Sequence, residues 1–148
     1  MIKIVEKSDN KYIEEIVELE KKVFGENGAI DIWNLKPYVK YGRVFVYLER
    51  DKVVAVAEIM KTWQEDKAYL YGLCVDTDFR GQGIGNKFML DIFRYLKAEN
   101  IKLVELTVAP ENVEAIKLYE KIGFERKEFL ENEYGENKNR YLYIKKIL

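Results

Sequence analysis

The chain has 148 residues and no histidine. That absence removes Ser-His-Asp and Cys-His catalysis and the usual zinc sites, all of which need an imidazole. The single cysteine, Cys74, excludes an internal disulfide framework and a Cys-x-x-Cys site. No run of about 18 apolar residues occurs, so no membrane span is expected. The first residues, "MIKIVEKSDNKY", lack the long apolar segment of a signal peptide, and a cytoplasmic protein is the simplest expectation. Net positive charge is missing too: 25 Lys and Arg face 26 Asp and Glu. Such a balance gives no general attraction to nucleic acid or to anionic membrane, and neither is expected as a partner. Any grip on an anion must come from local geometry. Proton transfer, if any, falls to carboxylates, tyrosines, backbone groups or water.

What is present is enough for one core. The chain is 48% hydrophobic and 14% aromatic, and its length suits a single domain over residues 1–148. "MIKIVE" reads as a strand. Tyr12, Ile13, Ile16, Val17, Val23 and Phe24 recur at helical spacing, with Asp9 or Asn10 as cap and Gly25 as stop. Asp31 can cap a second short helix whose extent Pro37 obscures. "RVFVYLER" and "KVVAVAEIM" read as strands joined by a tight turn at Asp51-Lys52, and "KAYLYGLCV" as a third. Ile84, Phe88, Ile92 and Leu96 form one helical stripe. "KLVELTV" is a strand ending at Ala109-Pro110, "NVEAIKLYEKIG" a helix stopped at Gly123, and "FERKEFLE" and "RYLYIKKI" a closing hairpin. The meander favours antiparallel pairing, and the strand–helix–strand unit from Leu70 to Val108 favours a parallel pair. The expected fold is α/β (α+β): a mixed, mostly antiparallel sheet with helices on both faces.

The stretch "VDTDFRGQGIGNKF", Val75 to Phe88, places three glycines between a strand and a helix. The first N–H groups of a helix lack intrahelical partners and, with the helix dipole, favour an anion. Gly81, Gly83 and Gly85 permit positive φ and a close ligand approach, and Arg80 adds charge. Each hydrogen bond to a charged phosphate oxygen contributes roughly 1.5–3 kcal/mol. A glycine-rich turn with no ligand is the plain alternative. A P-loop needs Gly-Lys-Ser/Thr where this chain has Gly85-Asn86-Lys87. A dinucleotide fingerprint needs glycine where Asn86 stands.

Two segments carry a resemblance. "LCVDTDFRGQGIG" is similar to the strand and R/Q-x-x-G-x-G/A turn of the GNAT superfamily of acetyl-CoA-dependent N-acetyltransferases. "NVEAIKLYEKIGF" is similar to its N-x-x-A-x-x-L-Y-x-x-x-G-F. Their order and separation match as well, and the tail "ERKEFLENEY" resembles members that acetylate protein N-termini. The resemblance implies that Arg80, Gln82, Gly83, Gly85 and Asn86, with Gly81 and Ile84, hold the pyrophosphate of coenzyme A. It implies that Leu73, Cys74 and Val75 pair with the pantetheine arm, joined by Asn112 (alternatively only a helix N-cap). It also implies that the central parallel strands splay into a V-shaped slot. Acetyl-CoA is then the co-substrate and no metal is needed.

Acetyl transfer to an amine needs a neutral amine, donors for the oxyanion and a proton for the departing thiolate. A lysine-like amine is neutral in only about one molecule in a thousand at pH 7.4, so supplying that form costs about 4 kcal/mol. The resemblance implies Val75 N–H as oxyanion donor and Tyr119 as thiolate acid, although an amphipathic helix position packed on the sheet also describes Tyr119. The family's two glutamate positions for a general base are occupied by Tyr71 or Gly72 and by Thr107. Glu105 and Glu58 are the remaining candidates, each also readable as an ordinary carboxylate; solvent can replace a base. Cys74 has no histidine partner and reads as a small hydrophobe. The acceptor is expected near Asp31, Trp33, Tyr38 and Tyr41, and near Glu131, Glu133, Tyr134 and Glu136, where carboxylates and aromatics can receive a cation. The reaction implied is direct attack by a small-molecule, peptide or protein amine, in a monomer or homodimer. The alternative is a non-catalytic acyl-CoA-binding or sensor module of the same fold.

Overall fold

The computed structural model describes residues 1–148. In chain order it contains β1 (Ile2–Ile4), α1 (Asn10–Phe24), α2 (Ile32–Tyr41), β2 (Arg43–Glu49), β3 (Lys52–Lys61), β4 (Lys67–Val75), a 3₁₀ turn (Thr77–Phe79), α3 (Ile84–Ala98), β5 (Leu103–Val108), α4 (Val113–Lys121), β6 (Glu125–Leu130) and β7 (Arg140–Lys146). The strands follow the order β1-β2-β3-β4-β5-β7-β6 in one mixed sheet. The parallel pair is β4 with β5, as a helical crossover requires. The expected α/β mixed sheet is therefore observed. Packing divides the chain into two compact units: residues 1–60 with 70–91, and residues 61–69 with 92–148.

The first unit is built on a buried hairpin. β2 pairs antiparallel with β3, and both strands bury nearly every residue because both faces are covered. Val44, Val46 and Leu48 turn to one face, where Ile13, Ile16 and Leu19 of α1 and Leu35 and Val39 of α2 complete a core. On the opposite face Tyr47 meets Phe88 of α3 edge-on, with ring centroids 6.0 Å apart. Helices thus cover both faces, as the alternation of apolar residues implied.

Local chemistry sets the element ends. Gly25 stops α1 with φ +77° and donates its N–H to Lys21. Asp9 precedes α1, but its carboxylate accepts from Glu6 N–H at 2.8 Å and pairs with Lys3 at 3.4 Å, so it does not cap the helix. Asp31 does cap α2, accepting from Asn34 N–H at 2.9 Å. Pro37 lies inside α2, so the helix continues with one backbone donor missing. The β2–β3 turn is centred on Arg50 and Asp51, both with positive φ, one residue earlier than the expected Asp51-Lys52. Two such residues match the right-handed twist of a hairpin. Lys11 and the Tyr12 hydroxyl, which both bond the Asp51 carboxylate, hold the turn.

In the second unit, Lys67–Tyr69 of β4 pair with Leu103–Glu105 of β5. β5 then pairs antiparallel with β7, and β7 with β6. The closing hairpin is as expected, with its second strand inside: Tyr143 is fully buried, while β6 forms the exposed edge. The Arg126 guanidinium lies 3.8 Å from the Tyr141 ring centre and ties the two strands. Tyr119, Phe124 and Phe93 pack in sequence, with centroid separations of 5.7 and 6.0 Å.

The α1–α2 core gives a direct test. Leu35 is fully buried in it. Leu35→Ala is expected to lower unfolding stability by about 2–5 kcal/mol, read as a reduced urea midpoint with unchanged slope.

Candidate active site

The glycine turn follows β4 directly. Gly81 and Gly83 have φ of +79° and +75°, and an added Cβ at either would meet no atom within 4 Å. Backbone conformation, rather than space, therefore requires glycine there. Gly85 differs from expectation: it lies within the first turn of α3 without positive φ. Helical bonding begins with Lys87 N–H to Gly83 O at 3.0 Å, so the N–H groups of Ile84, Gly85 and Asn86 lie at the open end of the helix. Arg80 is exposed beside the turn, its Nε 3.4 Å from Val75 O.

An unforeseen anchor holds this turn. Lys22, in the last turn of α1, bonds Asp76 at 2.7 Å and Asp78 at 2.8 Å. Asp76 is buried and also accepts from Asp78 N–H at 3.0 Å. Its burial opposes ionisation, but Lys22 and this backbone donor outweigh it and hold the carboxyl below its ordinary range.

β4 presents its edge in register with the turn. Asp76 donates its N–H to Val54 O of β3 at 2.8 Å. Backbone groups alternate edges along an antiparallel strand, so Cys74 also faces β3, and Leu73 and Val75 point their N–H groups to the opposite edge. Of the three residues expected to meet pantetheine, Leu73 and Val75 turn their N–H groups away from β3 and Cys74 turns its own towards it. The Cys74 side chain is buried in the α1–α2 core, and burial pushes its thiol up, far from a nucleophile's range.

The second unit holds the other candidates. Asn112 caps α4 by accepting from Ala115 N–H at 3.2 Å, so its helix-cap reading is realised. Tyr119 is buried on α4, its ring edge against Phe124. Glu105 pairs with Lys67 at 2.8 Å, which engages this carboxylate in the strand pair. Thr107 lies 3.5 Å from the Tyr69 hydroxyl. Burial chiefly pushes Tyr69 up to about 12, with Tyr134 adding to the rise, so Tyr69 stays a phenol. Of the expected acceptor residues, Trp33 and Tyr41 are exposed on α2 and Tyr38 stacks on Tyr71 at 5.1 Å. Asp31 is committed to its cap, and Tyr134 sits under Arg140 at 4.5 Å.

Glu58 has the most unusual setting. It is fully buried on β3, facing Glu20 of α1, which is buried as well. No protein donor reaches either Glu58 oxygen or Glu20 Oε2. Burial first, then the neighbouring Glu20, raises the Glu58 carboxyl well above its ordinary range; burial raises Glu20 too. Sequence reasoning missed Glu20, although a signal existed. It continues the apolar spacing of Ile13 and Ile16 on α1, a phase where a carboxylate is out of place.

Comparison with known proteins agrees with this architecture. The profile of the acetyltransferase (GNAT) family matches residues 13–124. The chain belongs to the GNAT family of acetyltransferases, which are acyltransferase enzymes. An uncharacterised N-acetyltransferase of Methanocaldococcus jannaschii is 40% identical over 65 residues, which cover 44% of this chain and 29% of that protein. The [ribosomal protein bS18]-alanine N-acetyltransferase of Haemophilus ducreyi is 35% identical over 88 residues, which cover 60% of this chain and 59% of that enzyme. The chain thus matches less than two thirds of the length of either relative. Among solved structures, Ard1 from Thermoplasma volcanium superposes with a TM-score of 0.85 at 26% identity, over 99% of this chain and 98% of that one.

The buried carboxyl predicts a pH effect. Because the folded-state proton affinity of Glu58 is raised, native protein binds more protons than unfolded protein above about pH 5, the upper end of ordinary carboxyl titration. Stability is then lost as pH rises towards the folded value, at up to about 1.4 kcal/mol per pH unit. Glu58→Gln removes that slope. Its stability relative to wild type is expected to grow with pH in urea melts between pH 5 and 8; parallel curves would show that Glu58 ionises normally.

Proposed function

We propose that this protein transfers an acetyl group from acetyl-CoA to a primary amine by direct attack, with residues 1–148 acting as one N-acetyltransferase domain. The observation that carries this reading is the left-handed pair Gly81 and Gly83 at the N-terminus of α3, immediately after β4. Backbone donors there suit a pyrophosphate without net positive charge on the protein. In this reading Arg80, Gly81, Gln82, Gly83, Ile84, Gly85 and Asn86 hold the coenzyme A pyrophosphate, while Leu73 and Val75 take the pantetheine arm along the β4 edge. Asn112 contributes its amide N–H₂, its oxygen being used in the cap. Val75 N–H stabilises the oxyanion, an interaction typically worth about 3–4 kcal/mol. Tyr119 protonates the thiolate, a phenol being a proton donor at neutral pH. A cytoplasmic site of action fits a chain with an unpaired thiol.

The acceptor we favour is a protein or peptide N-terminus. Support comes from the Haemophilus ducreyi relative, whose name specifies an alanine of a ribosomal protein. An α-amine has a pKa near 7.7–8.0, so making it neutral at pH 7 costs only about 1 kcal/mol, against about 4–5 for a lysine side chain. This modest demand suits a site whose basic groups are few.

The test is thermal unfolding with acetyl-CoA, coenzyme A, NAD and ATP in parallel. A ligand at about 100 times its Kd stabilises by roughly 2.7 kcal/mol. A shift with the two coenzyme A species alone supports the reading, and loss of that shift in Gly83→Ala places the ligand at the turn. A shift with NAD alone, or none, overturns it. With an alanine-initiated peptide as acceptor, Tyr119→Phe is expected to lower kcat about 10²-fold or more while acetyl-CoA binding persists. Coenzyme A binding without acetyl transfer to any amine would instead identify the acyl-CoA sensor.

A further inference from the structure

Glu20 and Glu58 bring two carboxyl groups into one buried site in the first unit, at 5% and 1% exposure. They approach from different elements, α1 and β3, within hydrogen-bonding reach of each other. Ile30 N–H bonds Glu20, but no lysine, arginine or other protein donor reaches the remaining three oxygens. Cys74 on β4 is the adjoining titratable group and stays a neutral thiol, with Asp76 and Arg80 farther along. Asp76 is already matched by Lys22. Two adjacent carboxylates in such a place cannot both be ionised, because neither desolvation nor repulsion is compensated. A single proton between them supplies the missing hydrogen bond and leaves one negative charge that no cation of the protein answers.

The β4 side of this pair is open in one respect. Gly72 lies on the same face of β4 as Cys74, and a Cβ there would stand 3.2 Å from Glu58 Oε2. Glycine thus adds no side chain of its own beside that oxygen, one residue before Leu73 and three before Val75. The family position for a basic glutamate falls at Tyr71 or Gly72 and is empty of carboxylate in this chain. The neighbouring strand supplies one to the same place.

We propose that Glu20 and Glu58 share one proton, and that Glu58 takes the ammonium proton of the acceptor amine arriving beside Gly72, with Glu20 as its positioning residue. The step balances simply. The ammonium N–H bond breaks and its electron pair stays on nitrogen. The proton joins the ionised member of the pair, both carboxyls are then neutral, and the neutral amine attacks the thioester carbonyl. The proton returns to solvent when product leaves. The role in transfer rests on the acetyltransferase reading above; the shared proton does not.

Side-chain carboxyl NMR of the full chain, labelled with ¹³C-glutamate and titrated from pH 3 to 9 without substrate, decides the shared proton. One carboxyl of the pair is expected to keep its proton well above the ordinary value of about 4.3. In Glu20→Gln the Glu58 midpoint should fall. Ordinary titration of both groups, or an unmoved Glu58 midpoint in Glu20→Gln, overturns the pair. Its role is read from the pH dependence of kcat/KM for an alanine-initiated peptide. Glu58→Gln should lose about 10²-fold or more at neutral pH. Glu20→Gln should shift the rising limb to higher pH, because ionised Glu58 loses the neutral carboxyl that hydrogen-bonds it; the amine's own ionisation cannot do this. Gly72→Ala keeps both carboxyls while crowding Oε2, and should also slow transfer if Glu58→Gln fails to fold. Wild-type rates in Gly72→Ala and Glu58→Gln, or an unshifted limb in Glu20→Gln, overturn the role. A wild-type protein that acetylates no amine defeats the acetyltransferase reading, and the role with it, while the titration still decides the shared proton.

Discussion

Burial of the apolar stripes of α1 and α2 against the β2–β3 hairpin is the constraint on which the first unit depends. Each fully buried aliphatic side chain there contributes roughly 1.5–3 kcal/mol, and Ile13, Ile16, Leu19, Leu35, Val44, Val46 and Val56 all join the same core. That sum fixes the position of α1 to within a helical phase. Two polar consequences follow from the same placement. Lys22 is carried to the start of the glycine turn, where it clasps Asp76 and Asp78. Glu20 is carried inward, to face Glu58.

These consequences have opposite character. The Lys22 clasp is a compensated charge: the buried Asp76 has a cation and a backbone donor, so it orders the loop that leads to Gly81 and Gly83. The Glu20–Glu58 pair is uncompensated, and such an arrangement costs stability wherever it sits. Proteins keep strained or destabilised groups chiefly where function needs them. The same helix therefore steadies the glycine turn through Lys22 and, two residues earlier, sets Glu20 against Glu58.

β4 links these features by alternation alone. Its even residues, Gly72, Cys74 and Asp76, direct backbone groups to β3; the Cys74 side chain joins the α1–α2 core, and the missing Cβ of Gly72 would point to Glu58 on the same face. Its odd residues, Leu73 and Val75, turn their N–H groups to the other edge. One strand thus separates a backbone edge that faces away from β3 from the buried carboxyl pair beside Gly72. In the second unit, the ion pair of Glu105 with Lys67 and the cap made by Asn112 show two candidate groups already engaged by the fold. Glu58 has no such partner.

By itself the sequence determined the element order, the mixed sheet, the family and the glycine turn. Those depend on local periodicity, on where Gly and Asp can stand, and on spacing within one segment: the stripe Ile84, Phe88, Ile92, Leu96 and the cap at Asp31 were legible for that reason. Small local errors also had local causes. Asp9 turned back to Glu6 instead of capping α1, and Gly85 fell inside α3, where φ is negative. Only the tertiary structure decided which charges meet. Glu20 and Glu58 stand 38 positions apart in the sequence, and Lys22 and Asp76 stand 54 apart. No periodicity within either segment encodes such a meeting, because it is set by how α1 packs across the sheet. A carboxylate at an apolar helix phase could announce that Glu20 was buried; only the fold could supply its partner.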